Sequence, residues 1–238
     1  MASTKSRIKP RTWTGHRGQL AKRIAAGVGG WLQLQIASDL DQTIGEDAAR
    51  HALVTLLHAQ RRFDVEVNYR PKGWDTKHRL DIALVPRTAT AKTVYGVIEL
   101  KWLTGARDWG ATRLDIVQDA VRTMAETTAN LNAHFVVIGG HQQAFRSLFN
   151  TKHPRAKAKE ARRAAFVRLF PRTYREMGSL TRAELDEHFA AAESRLPTGI
   201  QVLGKGKLQA RCVAAASAKI HKREQGFVYV WQIGLTGR

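Results

Sequence analysis

The chain has 238 residues, 43% of them hydrophobic, with 39 Lys and Arg against 20 Asp and Glu, a formal charge of +19. That composition supplies a core for one large domain and a cationic surface whose commonest match is a nucleic-acid backbone, although structural binding to a ribosome-like particle or a membrane surface also answers the bare charge. The single cysteine, Cys212, excludes an internal disulfide framework and a Cys-rich zinc site. No apolar run reaches membrane-spanning length and the basic N-terminus lacks the apolar stretch of a secretory signal, so a cytoplasmic protein is expected, with an Arg-rich mitochondrial presequence as the alternative.

Residues 1–38 hold Lys5, Arg7, Lys9, Arg11, Arg17, Lys22 and Arg23 before the first acid, Asp39. They read as a basic N-terminal arm that either orders on a phosphate backbone or stays solvated. GVGG at 27–30 is not followed by Lys-Ser or Lys-Thr and makes no nucleotide-binding loop. From Thr43, TIGEDAARHALVTLLHAQ sets Ala49, Leu53, Leu56 and Leu57 at helical spacing. Strands are expected at 63–71, 79–86 and 93–102. A helix follows at about 113–130, with Leu114, Val117, Val121, Ala125 and Thr128 on one stripe and Asp115 as capping partner of Thr112. AHFVVIGG (133–140) reads as a strand buried on both faces.

This order predicts an α/β fold, a central mixed β-sheet flanked by helices. Beyond it, residues 151–198 form a basic helical segment in which Arg155, Arg162 and Arg163 are candidate nucleic-acid contacts. Within that segment Thr181 and Glu184 make a capping box, with Leu180 stapled to Leu185. Residues 199–238 read as up to three strands extending the sheet, so that 39–238 is one domain.

The stretch VYGVIELKWL (94–103) places Glu99 and Lys101 in an otherwise apolar strand. A hairpin folded about PRTATAK pairs positions whose numbers sum to about 180, which sets Asp81 opposite Glu99 with Cβ atoms roughly 4.5 to 5.5 Å apart. Lys101 shares that face, and a one-residue slip would part Asp81 from the other two. Two carboxylates so close in an apolar setting need a cation between them, and hard oxygen ligands favour Mg2+, with Mn2+ able to substitute, over zinc. A lysine beside a metal-bound water can orient it or help remove its proton. The chemistry this points to is metal-assisted hydrolysis of a polyanion.

Asp81 in RLDIAL, Glu99 and Lys101 in VIELKW, and the order of elements around them resemble the PD-(D/E)XK nuclease superfamily, of restriction endonuclease-like fold, over about residues 43–140. Leu80 stands where the family name has Pro. The resemblance implies that Asp81, Glu99 and the Leu100 main-chain carbonyl bind the metal and that Lys101 acts on the attacking water. It also implies that Glu46 fills the slot of a Glu on the first helix and Gln118 that of a Gln on the helix after the lysine strand. Read from the residues alone, Glu46 serves equally as capping-box partner of Thr43, and Gln118 as a helix-surface residue. Arg70, Lys72, His78 and Arg79 either contact phosphates or are solvated strand ends. The expected activity is that of a Mg2+-dependent (endo)deoxyribonuclease acting on DNA, as a monomer or homodimer. An RNA-directed nuclease of the same fold and a non-catalytic basic nucleic-acid-binding protein are the alternatives.

Overall fold

The structure, a computed structural model, describes residues 14–38, 40, 44–75, 77–87, 93–105, 108–126, 133–150, 156–190, 206–220 and 223–236. In chain order the elements are α1 (Thr14–Ala37), α2 (Glu46–Ala59), β1 (Phe63–Tyr69), β2 (Leu80–Pro86), β3 (Gly96–Leu103), α3 (Trp109–Ala125), β4 (Ala133–His141), α4 (Gln142–Asn150), α5 (Lys157–Leu169), β5 (Met177–Thr181), α6 (Arg182–Phe189), β6 (Lys207–Ile220) and β7 (Arg223–Thr236). The strands form one mixed sheet in the order β1-β2-β3-β4-β7-β6-β5. Within it β3 and β4 run parallel, with Glu99 beside Val136 and Lys101 beside Ile138, while the other recorded pairs are antiparallel.

Each face of the sheet carries its own core. On one, α3, α4, α5 and α6 cover Val97, Val136, Ile138 and Trp231, with Phe145, Phe149, Phe166 and Phe170 filling the layer. On the other, α1 and α2 cover Ile82, Ile98, Leu100, Trp102, Phe135 and Val137. Trp102 is wholly buried and lies across β4 at Gly139, where an added Cβ would stand 2.5 Å from the ring. That close approach fixes the C-terminal end of β3, the end that carries Glu99 and Lys101.

Residues 14–37 are not an arm. They form α1, whose Leu20, Ile24, Val28, Leu32 and Ile36 recur every fourth position and are all buried. Burial of this stripe against the sheet holds the helix, and the cations that suggested a solvated tail occupy its outer side: Lys22 and Arg23 are exposed. The part of the arm before Thr14 lies outside the described residues. GVGG is part of α1, where Gly29 packs so closely on β6 that a Cβ would lie 2.8 Å from Ala216 Cβ.

Other boundaries also move. The third helix begins at Trp109, and its N-cap is Asp108, whose carboxylate accepts from Gly110 N at 2.8 Å. Asp115 therefore does not cap through Thr112, whose hydroxyl instead donates to the Asp108 carbonyl; Thr128 lies outside the described residues. Segment 151–198 is not helical throughout, since β5 precedes α6, whereas the Thr181–Glu184 capping box forms as expected. The tail contributes two long strands, β6 and β7, paired along their length. No helix among the described residues is long and apolar enough to cross a membrane.

Candidate functional site

β2 and β3 pair through Ile82 with Ile98, Ala83 with Val97 and Leu84 with Gly96, each pair summing to 180 as the hairpin requires. The ladder stops there. One step further, Asp81 and Glu99 face a gap in which the N–H groups of β3 have lost their strand partner. Two carboxylates take them: Asp81 accepts from Leu100 N at 2.9 Å, and Glu46, from the first turn of α2, accepts from Trp102 N at 3.2 Å. Buried main-chain donors must be satisfied, so the parting of the strands and the placing of these two acids are one structural event. On the far side of Asp81, Asn68 has a left-handed backbone (φ 53) and is skipped in the β1–β2 pairing. Asn tolerates that conformation better than most residues, and the strand bearing Asp81 is thus loosened on both flanks.

Glu99 is wholly buried. Arg122, from α3, grips it with two hydrogen bonds, Nε to Oε1 at 2.9 Å and Nη2 to Oε2 at 2.8 Å, and also reaches Asp119 at 3.1 Å. Burial, followed by repulsion from Asp81 and then Asp119, holds the Glu99 carboxyl well above the usual glutamate range, with Arg122 opposing the rise. Burial works against the Arg122 guanidinium in turn, but Glu99 together with Asp119 and Asp81 outweighs it and raises its pKa. Lys101 lies between Glu46 at 3.7 Å and Asp119 at 3.9 Å. Arg50 bridges Glu46 at 3.4 Å and Asp81 at 3.3 Å. The cluster therefore sets four carboxylates against three cations. It opens on the side of Glu46, whose side chain is 31% exposed against 1% for Glu99.

Asp81, Glu99, Lys101 and Glu46, all expected from sequence, are thus brought together. Glu46 contacts Lys101 and the Trp102 N–H on β3 and Arg50 within α2; Thr43 lies outside the described residues, and Gly45 is the N-cap of α2. Gln118 is buried within α3 rather than on a helix surface. Among the described residues no group of three or more His, Cys, Asp or Glu side chains is gathered so as to hold a metal ion.

The expected cations divide in two. Arg70, Lys72 and Arg79 are exposed on the connection between β1 and β2 that runs into Asp81. Lys77, which the sequence reading passed over, is exposed with them. His78 sits beside Asp75, Nδ1 at 2.7 Å. By contrast, Arg162 donates to the His188 carbonyl at 2.8 Å, and Arg163 to Glu160 at 2.9 Å and the Phe149 carbonyl at 3.1 Å, which ties both into the fold. Arg155 lies outside the described residues.

Three members of the cluster were missed. Arg50 follows Glu46 by four positions, the spacing of a helical ion pair. Asp119 and Arg122 stand three apart on a helix whose Val117, Ala120 and Val121 are buried, and charges set among such residues were the available sign. Compared with family models, with curated proteins and with solved structures, the chain matches none.

Proposed function

We propose that the protein is a divalent-metal-dependent nuclease that hydrolyses phosphodiester bonds of DNA. The observation that carries this reading is the meeting of Asp81, Glu99 and Lys101 where β2 and β3 part. The donors available suit a hard cation: the carboxylates of Asp81 and Glu99 and the main-chain carbonyl of Leu100, which a strand residue turns to the same side as its N–H. Repulsion between Asp81 and Glu99 is the electrostatic demand that a dication relieves. For Glu99 to offer an oxygen, Arg122 must yield one of its two contacts, and Asp119 is already beside it to keep the guanidinium paired.

Lewis acidity toward a phosphoryl oxygen and a more acidic water are what a bound divalent ion supplies here. The rest falls to the chain. Lys101, held between Glu46 and Asp119, orients the attacking water and offsets charge developing on the phosphate. Glu46, on the open side, takes up the proton and passes it to solvent. Exposed Arg70, Lys72, Lys77 and Arg79 hold the phosphate backbone on the approach to Asp81.

The test is a cleavage assay with Mg2+ or Mn2+ on duplex, single-stranded and branched DNA and on RNA. Cleavage is expected on DNA and is abolished in Asp81→Ala, Glu99→Ala and Lys101→Ala, with DNA binding retained. No cleavage of any substrate, or full cleavage by all three variants, overturns the reading; cleavage of RNA alone moves the substrate and keeps the chemistry.

One contact favours a second reading. Because Arg122 already answers Glu99 with two hydrogen bonds, the cluster can stand as a charge network that sets the strand ends of a nucleic-acid-binding protein without catalysis. Calorimetry with Mg2+ separates the two, since the nuclease reading requires a metal-binding heat that disappears in Asp81→Ala.

A further inference from the structure

At the opposite end of strands β1, β2 and β3 from the carboxylates, a cavity of about 360 Å³ opens between α1, the end of α2 and the strand ends. The helix α2 starts at Glu46 and leads into Gln60 at the cavity, a span of about 20 Å at the helical rise. The cavity shares no residue with the carboxylate cluster.

Its floor is aromatic. Phe63 and Tyr95 stack with centroids 4.9 Å apart at 27° and are 8% and 6% exposed. Its rim is cationic, formed by Arg23, Arg61, Arg62 and Arg87, all four exposed. Arg87 pairs with Asp64 at 2.9 Å, and among the described residues no carboxylate pairs with the other three. The backbones that carry them are fixed: Arg87 N donates to the Arg62 carbonyl at 3.2 Å, and Arg61, left-handed at φ 51, donates to the His58 carbonyl at 3.0 Å. Gln60 also lines the cavity, and its buried side-chain nitrogen has no hydrogen-bond partner among the described residues. The cavity thus presents guanidinium donors above an apolar aromatic floor.

Guanidinium groups recognise phosphate through paired hydrogen bonds, and an aromatic floor takes a flat, apolar body. The volume lies within the range of small-molecule sites and is ample for more than a lone phosphate ion. The chain's own N-terminal stretch is no match, because it carries no acid before Asp39 to answer four arginines. From these features we propose that the cavity binds a nucleoside phosphate, the phosphate on the arginines and the base against Phe63 and Tyr95. Free nucleotide and the phosphorylated end of a strand present the same chemistry. The inference does not rest on the nuclease reading.

Calorimetry on the full chain in EDTA tests it, with dAMP, adenosine, and a short oligonucleotide with and without a 5′-phosphate as probes. The expected result is binding of dAMP but not of adenosine, weakened about tenfold in Arg61→Gln and in Arg62→Gln, the size of one lost charge-assisted hydrogen bond. Arg168→Gln, exposed on α5 across the sheet from the cavity, is the charge-matched control and leaves dAMP binding unchanged. The rim arginines are exposed, so the variants fold, and their unfolding midpoints check it. Binding of free dAMP assigns the soluble source, and binding of the 5′-phosphorylated oligonucleotide alone assigns a strand end; either upholds the inference. It is overturned if phosphate adds nothing to the binding of nucleoside and oligonucleotide, or if Arg168→Gln weakens binding as much as Arg61→Gln.

Discussion

Glu99 has Arg122 on both its oxygens, with Asp81 and Asp119 opposing its charge. A carboxyl whose pKa in the folded protein lies above its unfolded value binds its proton more tightly when folded. Its ionisation therefore costs nothing below the unfolded value, near 4.5, and works against the fold increasingly as pH rises toward the folded value. Arg122 offsets that cost. Arg122→Met should accordingly destabilise the protein by about 3–5 kcal/mol at pH 8, the usual result of leaving one partner of a buried pair uncompensated. The loss should be smaller at pH 5, where Glu99 can stay protonated. Denaturant midpoints of variant and parent at the two pH values check this, and an equal loss at both would refute it. At this scale the sequence disclosed what strand periodicity governs: Glu99 and Lys101 on one face, and Asp81 across a hairpin. It did not disclose Arg122 and Asp119, because a charged pair on a helix looks the same whether it faces solvent or a neighbour. What decides is the packing of α3 against β3, which local spacing does not record.

Helix α1 shows the same limit in an element. Five apolar residues at four-residue intervals were present to be read, but the seven cations before Asp39 drew the eye to a tail. Strands β2, β3 and β4 were legible because β-branched runs bounded by turns carry their own signal. The short strand β5 was not, since five residues between a basic loop and a capping box offer no alternation to count. The docking of α1 is checked by Gly29→Val, which sets new atoms against Ala216 on β6. Overpacking of this kind costs about 1–3 kcal/mol, and a chemical denaturation curve should show a loss in that range. A variant as stable as the parent would mean that α1 does not sit on the sheet as described.

For the whole molecule, the excess of cations is unevenly available to a partner. Arg162 and Arg163 are engaged within the fold, whereas Arg70, Lys72 and Arg79 are exposed on the way into Asp81 and pair with no carboxylate among the described residues. Each phosphate contact adds about 0.9 to the slope of log affinity against log salt for duplex DNA. The triple variant Arg70→Gln, Lys72→Gln, Arg79→Gln should lower that slope by about 3, while Arg162→Gln leaves it unaltered; fluorescence anisotropy across a salt series reads both. Total charge was legible from composition, and its allocation was not, because the carbonyls that occupy Arg162 and Arg163 come from α6 and α4. The seven-stranded sheet is open, so it has two rims. One is β1, which sets Asp64 and Glu66 along its edge in a chain otherwise short of acids, and the other is β5, only five residues long before the chain turns into α6. Neither offers a long neutral ledge on which another strand can add. A folded copy is thereby a poor template for an unfolded one, and sheet growth from molecule to molecule stops at the first copy.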